Sequence, residues 1–186
     1  MFNDIRWSTP GKTVATERKQ EAAADVTEIE PLGYPALVEL ARGRRTWAQL
    51  LQWTPSSVAG AAEVGRQLFE AGRLDEARLI FETLAAANPR DAHVLTALGV
   101  VYLSFDERDR ARMAWRAAVA ASPRMAFAWL SLAELEWHED RVEEATEYLK
   151  RGMRVVDDGP QRERAHALAE NLGLDVSRAL AATPEH

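Results

Sequence analysis

The sequence predicts an all-α protein, an α-solenoid of three stacked helical hairpins with a helical segment before them and a capping helix after them. Three observations carry this expectation. Residues 70–89, EAGRLDEARLIFETLAAANP, align without a gap on residues 104–123, SFDERDRARMAWRAAVAASP, 34 positions on. Between the two, Ala77 falls on Ala111, Phe81 on Trp115 and Pro89 on Pro123, while the charged letters change freely. Within a unit the apolar residues recur at helical spacing: Leu95, Leu98, Gly99 and Tyr102 stand at i, i+3, i+4 and i+7.

Residues 1–30 are polar and lack sustained periodicity apart from a short helical tendency at Ala22 to Ala24, so a disordered tail is expected. Residues 31–57 form an N-terminal helical segment. Pro31, Gly33 and Pro35 interrupt its start, which leaves one helix or two short ones across Ala36 to Trp53. Its large apolar residues Trp47, Leu50, Leu51 and Trp53 either cap the first repeat or form a self-association surface. The repeats follow as 58–91, 92–125 and 126–159. Each has a first helix, a turn (Phe105-Asp106-Glu107 in the second) and a second helix; in the first two units that helix halts ahead of a proline, because a proline disfavours the α region for the residue before it. Small residues recur where the helices of a hairpin must approach closely: Gly65, Gly99 and Ala133 at position 8, Ala77, Ala111 and Ala145 at position 20. A lone hairpin cannot bury its apolar face, so neighbours must stack, and three units are about the minimum. Residues 160–186 open with Pro160 in a first helical turn and place Ala165, Leu168, Ala169 and Leu172 on one stripe, a capping helix followed by a tail.

The net charge of −6 argues against nucleic acid, whose binders present a basic face. The absence of cysteine removes disulfides, thiol nucleophiles and thiolate metal sites. No apolar run is long enough to insert in a membrane and the N-terminus lacks an apolar signal core, so a soluble, cytoplasmic protein is expected. Pro10-Gly11-Lys12-Thr13 ends like a phosphate loop, but Arg6 stands where its first glycine belongs. His138-Glu139-Asp140 lacks metal-ligand spacing, and glutamate pairs such as Glu143-Glu144 lie on an exposed helix face. No residue pattern supports catalysis, a metal or a cofactor, and what remains is a binding surface.

L-x-x-L-G-x-x-Y at 95–102, A-x-x-x-W at 111–115 and Pro123 resemble a tetratricopeptide repeat. The first unit carries the same pattern in Gly65, Gly72, Ala77, Phe81 and Pro89, the third in Trp129, Leu132, Ala133, Ala145 and Leu149. The third departs from it at Gly152 and at Asp157-Asp158-Gly159-Pro160. The resemblance implies a concave groove lined by the first helix of each unit. Carried over by position, its lining is Ala59, Ala62, Arg66, Phe69 and Glu70, then His93, Thr96, Val100, Leu103 and Ser104, then Phe127, Leu130, Glu134, Trp137 and His138. Position 6 holds Glu63, Ala97 and Ser131, and Arg66 is the one basic lining residue, so the set of Lys, Arg and Asn that grips a chaperone's terminal carboxylate in some repeats of this kind is missing. The implied ligand is an extended, largely apolar peptide segment of a partner protein. G-R-L-D-E-A-R-L-I-F-E-T-L and D-A-H-V-L-T-A-L-G are further similar to bacterial type III secretion chaperones for translocator proteins. That likeness implies a hydrophobic client in the groove and a homodimer through the N-terminal segment. The alternative is a scaffold or adaptor subunit of a bacterial assembly, without chaperone activity.

Overall fold

The structure, a computed structural model, describes residues 39–40, 42–157 and 159–174. The expectations for residues 1–30, and for the tail beyond Leu174, lie outside them. The described residues contain no strand. Their helices are α1 (Trp47–Leu50), α2 (Pro55–Glu70), α3 (Leu74–Ala87), α4 (Ala92–Ser104), α5 (Arg108–Ala121), α6 (Ala126–His138), α7 (Val142–Val155) and α8 (Pro160–Asn171). The three hairpins α2/α3, α4/α5 and α6/α7 stack in chain order, each second helix packing on the next first helix, while α8 closes the stack against α6 and α7. This is the tetratricopeptide α-solenoid, with the short α1 laid on α3 at the other end.

Local chemistry fixes the helix ends. Thr46 and Gln49 form a reciprocal capping box on α1, at 3.2 and 2.9 Å. Thr54 Oγ1 accepts from Ser57 N–H at 3.1 Å and Pro55 occupies the first turn of α2, which therefore starts three residues ahead of the repeat ruler. Asp91 caps α4 by accepting from His93 and Val94 N–H. The turn inside every hairpin uses one left-handed residue at the same repeat position: Gly72, Asp106 and Asp140, with φ of +74°, +57° and +57°. Each is followed by an amide that reaches back five residues, from Arg73 to Leu68, Glu107 to Tyr102 and Arg141 to Glu136, the bond that closes a Schellman end. The second helices of the first two units stop at Asn88 and Ser122, both extended and both ahead of a proline.

Inside each hairpin a large residue of the second helix fills the space over the small position 8 of the first. Phe81, Trp115 and Leu149 occur 34 apart and are buried. A Cβ on Gly65 would lie 2.9 Å from Phe81, and one on Gly99 would lie 2.3 Å from Trp115 Nε1. Where the partner shrinks to Leu149, position 8 is Ala133. Gly152 is explained in the same way: a Cβ there would come within 3.0 Å of Leu130. The junctions between hairpins reuse one cation. Arg78 of α3 lies 5.5 Å from the Tyr102 ring centroid and donates to Glu107 at 2.7 Å. One repeat later the buried Arg112 of α5 donates to Glu136 at 2.8 Å and also to Glu139 and Asp109. Arg141 Nε comes within 2.8 Å of Glu136 Oε2, near enough to pair charges but off line for a hydrogen bond.

Trp115 is 1% exposed and its Nε1 donates to the Thr96 carbonyl at 3.1 Å, so the ring has nowhere to retreat. Gly99→Ala is expected to lose about 1–3 kcal/mol to overpacking, despite the better helix propensity of alanine. Adding Trp115→Leu recreates the Ala133/Leu149 pairing. In urea denaturation of both singles and the double, the pair should be at least about 1 kcal/mol more stable than the sum of the singles implies; simple additivity would contradict this account of position 8.

Candidate functional site

The first helices α2, α4 and α6 carry the residues expected to line a groove, and these grade from exposed to fully buried. Ala62, Arg66, Phe69, Leu103, Phe127, Glu134 and Trp137 are half-buried, while Ala59, Glu70, His93, Ser104 and His138 are exposed. Phe69, Leu103 and Phe127 rest on the main core and keep part of their surface accessible, one from each successive hairpin. Three expected lining residues are corrected. Leu130 is 0% exposed, Thr96 6% and Val100 5%. Leu130 is packed with Ala133, Leu149, Met153 and Leu168 beneath α8, and Val100 belongs to the main core. For Thr96 and Val100 the reason is that α4 buries ten of its thirteen residues. The Thr96 hydroxyl tolerates burial because it donates to the Ala92 carbonyl at 2.6 Å.

The charges along this face are already paired. Arg66 donates to Glu63 at 2.8 Å and to Glu70. At the other end Arg164, from the capping helix, grips both Glu134 oxygens at 2.6 and 2.5 Å and the Ser131 hydroxyl at 3.2 Å. Its guanidinium lies 4.8 Å from the Phe127 ring centroid. Phe127, Ser131 and Glu134 stand at i, i+4 and i+7, so Arg164 runs along one stripe of α6. Trp137 packs against the C-terminal cluster and its ring is 4.8 Å from His138. Sequence reading missed Arg164. Its position next to Ala165 and four before Leu168, at the margin of the apolar stripe, was the available signal.

The N-terminal apolar group divides. Ala48 is buried and Leu50 half-buried, whereas Trp47, Leu51 and Trp53 are 44%, 45% and 37% exposed. On the opposite, outer helices Leu79 and Met113 stand at one repeat position and are 65% and 70% exposed. Among the described residues no three His, Asp or Glu are placed to hold a metal, and no helix is long and apolar enough to cross a membrane.

No family model and no curated protein sequence matches the chain. Among solved structures the fold is similar to the type III secretion translocator chaperone SycD of Yersinia enterocolitica. The two are 16% identical over 69% of this chain and 96% of SycD, with a TM-score of 0.61. SycD has also been solved with a peptide of the translocator YopD and as an alternative dimer. PcrH of Pseudomonas aeruginosa, in complex with the chaperone-binding region of PopD, is 18% identical over 64% of this chain and 93% of PcrH, with a TM-score of 0.59. The first tetratricopeptide domain of Spaghetti (RPAP3), bound to the HSP90 peptide SRMEEVD, is 17% identical over 64% of this chain and 96% of that domain, with a TM-score of 0.56. At these identities the likeness is one of fold.

Arg66, followed by Gln67, holds the Glu63 carboxyl down to about 2 from its ordinary 4.5. A lowered carboxylate adds stability that is whole above pH 4.5 and is lost as the pH falls through the folded value. The Glu63 side chain is half exposed, so solvent screens the pair and the contribution is small. Glu63→Gln should therefore leave the unfolding free energy at pH 7 within about 0.5 kcal/mol of wild type, and flatten its decline between pH 4.5 and 2. Parallel acid profiles of the two proteins would contradict the pairing.

Proposed function

We propose that the protein is a non-enzymatic peptide-binding module that holds an extended, largely apolar segment of a client protein in its concave groove, as a secretion chaperone does. The observation that carries this reading is the partial exposure of Phe69, Leu103 and Phe127 on the three first helices. Each keeps accessible apolar surface at an inner position of a different hairpin, beside ionic groups whose charges are already neutralised. Such a surface takes apolar side chains at intervals and offers no free cation for a terminal carboxylate. Similarity of fold to SycD and PcrH, which have been solved with translocator segments, supports the same use. Covering a membrane-inserting segment would keep a client from aggregating while leaving it extended enough for export.

A random peptide library displayed on phage and panned on the wild-type protein should return apolar sequences. Phe127→Ala should weaken their binding about 30-fold, the loss of roughly 2 kcal/mol typical of a buried aromatic anchor. Leu79→Ala/Met113→Ala should leave it unchanged. The reverse pattern would favour the second reading, an adaptor using its outer face, for which the exposed and repeat-matched Leu79 and Met113 are the specific observation. The exposed Trp47, Leu51 and Trp53 further support a homodimer through the N-terminal segment. Light scattering should show Trp47→Ala/Leu51→Ala as a monomer at concentrations where wild type is a dimer; a monomeric wild type would remove this part of the reading.

A further inference from the structure

On a chain with 29 acidic and 23 basic residues, carboxylates are in surplus. Arginines along the fold use them: Arg66, Arg78, Arg112, Arg141 and Arg164 each pair with at least one. Where α5, α6 and α7 meet, a group of cations does not. Among the described residues no carboxylate pairs with Arg116, Arg124, Lys150 or Arg154. Arg151, beside them, has one such partner, Glu147 at 2.9 Å.

Two rings hold the group together. Arg116 Nε, on α5, donates to the Tyr148 hydroxyl of α7 at 3.0 Å. The Tyr148 ring centroid lies 5.9 Å from that of Trp129 on α6, and the Arg151 guanidinium lies 5.4 Å from the Trp129 centroid. Trp129 Nε1 donates in turn to the Pro123 carbonyl at 2.8 Å, which fixes the loop that carries Arg124. Lys150, Arg151 and Arg154 are neighbours on α7 by their spacing of three and four. The Tyr148 hydroxyl already accepts from Arg116, and its own proton has no acceptor among the described residues.

Packing within the repeat does not call for this arrangement. One repeat earlier the places of Arg116, Trp129, Tyr148 and Arg151 hold Glu82, Leu95, Ala114 and Ala117. The helix dipole accounts for Arg154, in the last turn of α7, but not for Arg116 in mid-helix or Arg124 in a loop. All the cations but Lys150 are guanidinium groups, whose planar fork matches a carboxylate. Lys150 and Arg154 stand one turn, about 6 Å, apart along α7, and carboxylates on alternate residues of an extended segment stand about 7 Å apart. Exposed Glu143, Glu144 and Glu147 share α7 with the patch. With the net charge of −6 they disfavour a broad polyanion such as duplex nucleic acid or an anionic bilayer, and a short segment avoids them.

We infer that this surface docks a short acidic segment of a partner protein, rich in aspartate and glutamate. Arg116, Arg124, Arg151 and Arg154 pair with its carboxylates, and the Tyr148 hydroxyl donates to one of them. The site is separate from Phe69, Leu103 and Phe127 and stands whether or not those residues bind a peptide.

The test is fluorescence anisotropy of a labelled decaglutamate peptide titrated with the full chain. Wild type should bind it, and Arg124→Glu/Arg154→Glu should bind it at least about tenfold more weakly. Both residues are exposed and neither pairs with a carboxylate among the described residues, so the variant should keep its fold, as circular dichroism will check. Arg42→Glu/Arg90→Glu reaches the same net charge through two other exposed arginines and should bind as wild type does. Equal losses in the two variants would reduce the effect to overall charge and overturn the site. A wild type that ignores decaglutamate would also overturn it; if that protein instead bound duplex DNA or phosphatidylserine vesicles through Arg124 and Arg154, the patch would belong to that polyanion. Phe127→Ala should leave decaglutamate binding unchanged, and its loss there would move the peptide to the groove positions, rejecting the separate site while leaving the groove reading in place.

Discussion

The fold depends on the contact between position 8 of each first helix and the large residue that the second helix sets over it. Gly65 under Phe81, Gly99 under Trp115 and Ala133 under Leu149 are three versions of one constraint, in which the sum of the two side chains is held nearly constant. An aromatic ring on the second helix leaves no space for a Cβ on the first, and leucine leaves space for one. Close approach at this point lets each hairpin bury Ala77, Ala111 or Ala145 completely. The concave face is what such stacking leaves over. Its lining is therefore a consequence of packing in the hairpins rather than an independent feature.

The junctions between hairpins obey a different logic. Arg78 and Arg112 occupy the same place in successive second helices and both reach the following first helix, but where Arg112 meets the carboxylate of Glu136, Arg78 meets the ring of Tyr102 and pairs its charge with Glu82 and Glu107 instead. The first junction is half exposed and tolerates a cation over an aromatic face. The second is buried, so a charge there needs a charge, and Glu139, Asp109 and Arg141 complete the set. A buried ionic cluster of this kind adds little net stability, since desolvation offsets most of its Coulombic gain. Its effect is to penalise any other register of the third hairpin on the second, which would leave Arg112 or Glu136 buried without a partner.

These two kinds of contact explain which features were legible in the sequence. The 34-residue phase, the glycine and alanine positions and the prolines after the second helices all answer to constraints within one hairpin, where partners are close in sequence. The helical hairpins followed from those letters directly. The groove lining was only partly legible, because whether position 5 or 9 is open depends on the neighbouring hairpins. Leu130 occupies the same position as the half-buried Ala62, yet it is sealed under α8 because the capping helix lies over the third unit and, among the described residues, nothing equivalent lies over the first. Arg164 was missed for the same reason: its partner Glu134 is 30 residues away on another helix.

The two ends of the solenoid are closed unequally. At the C-terminal end, α8 buries Ala165, Leu168 and Ala169 in a cluster of its own with Leu130, Leu149 and Met153. At the N-terminal end stands the four-residue α1, and α2 buries only Gly65, although it is the longest helix. Among the described residues the first unit is covered lightly, and Trp47, Leu51, Trp53 and Val64 are the apolar surface left there. The cost of exposing them falls on the end of the molecule where the chain also enters. Association of a second molecule would thus gain most at this end.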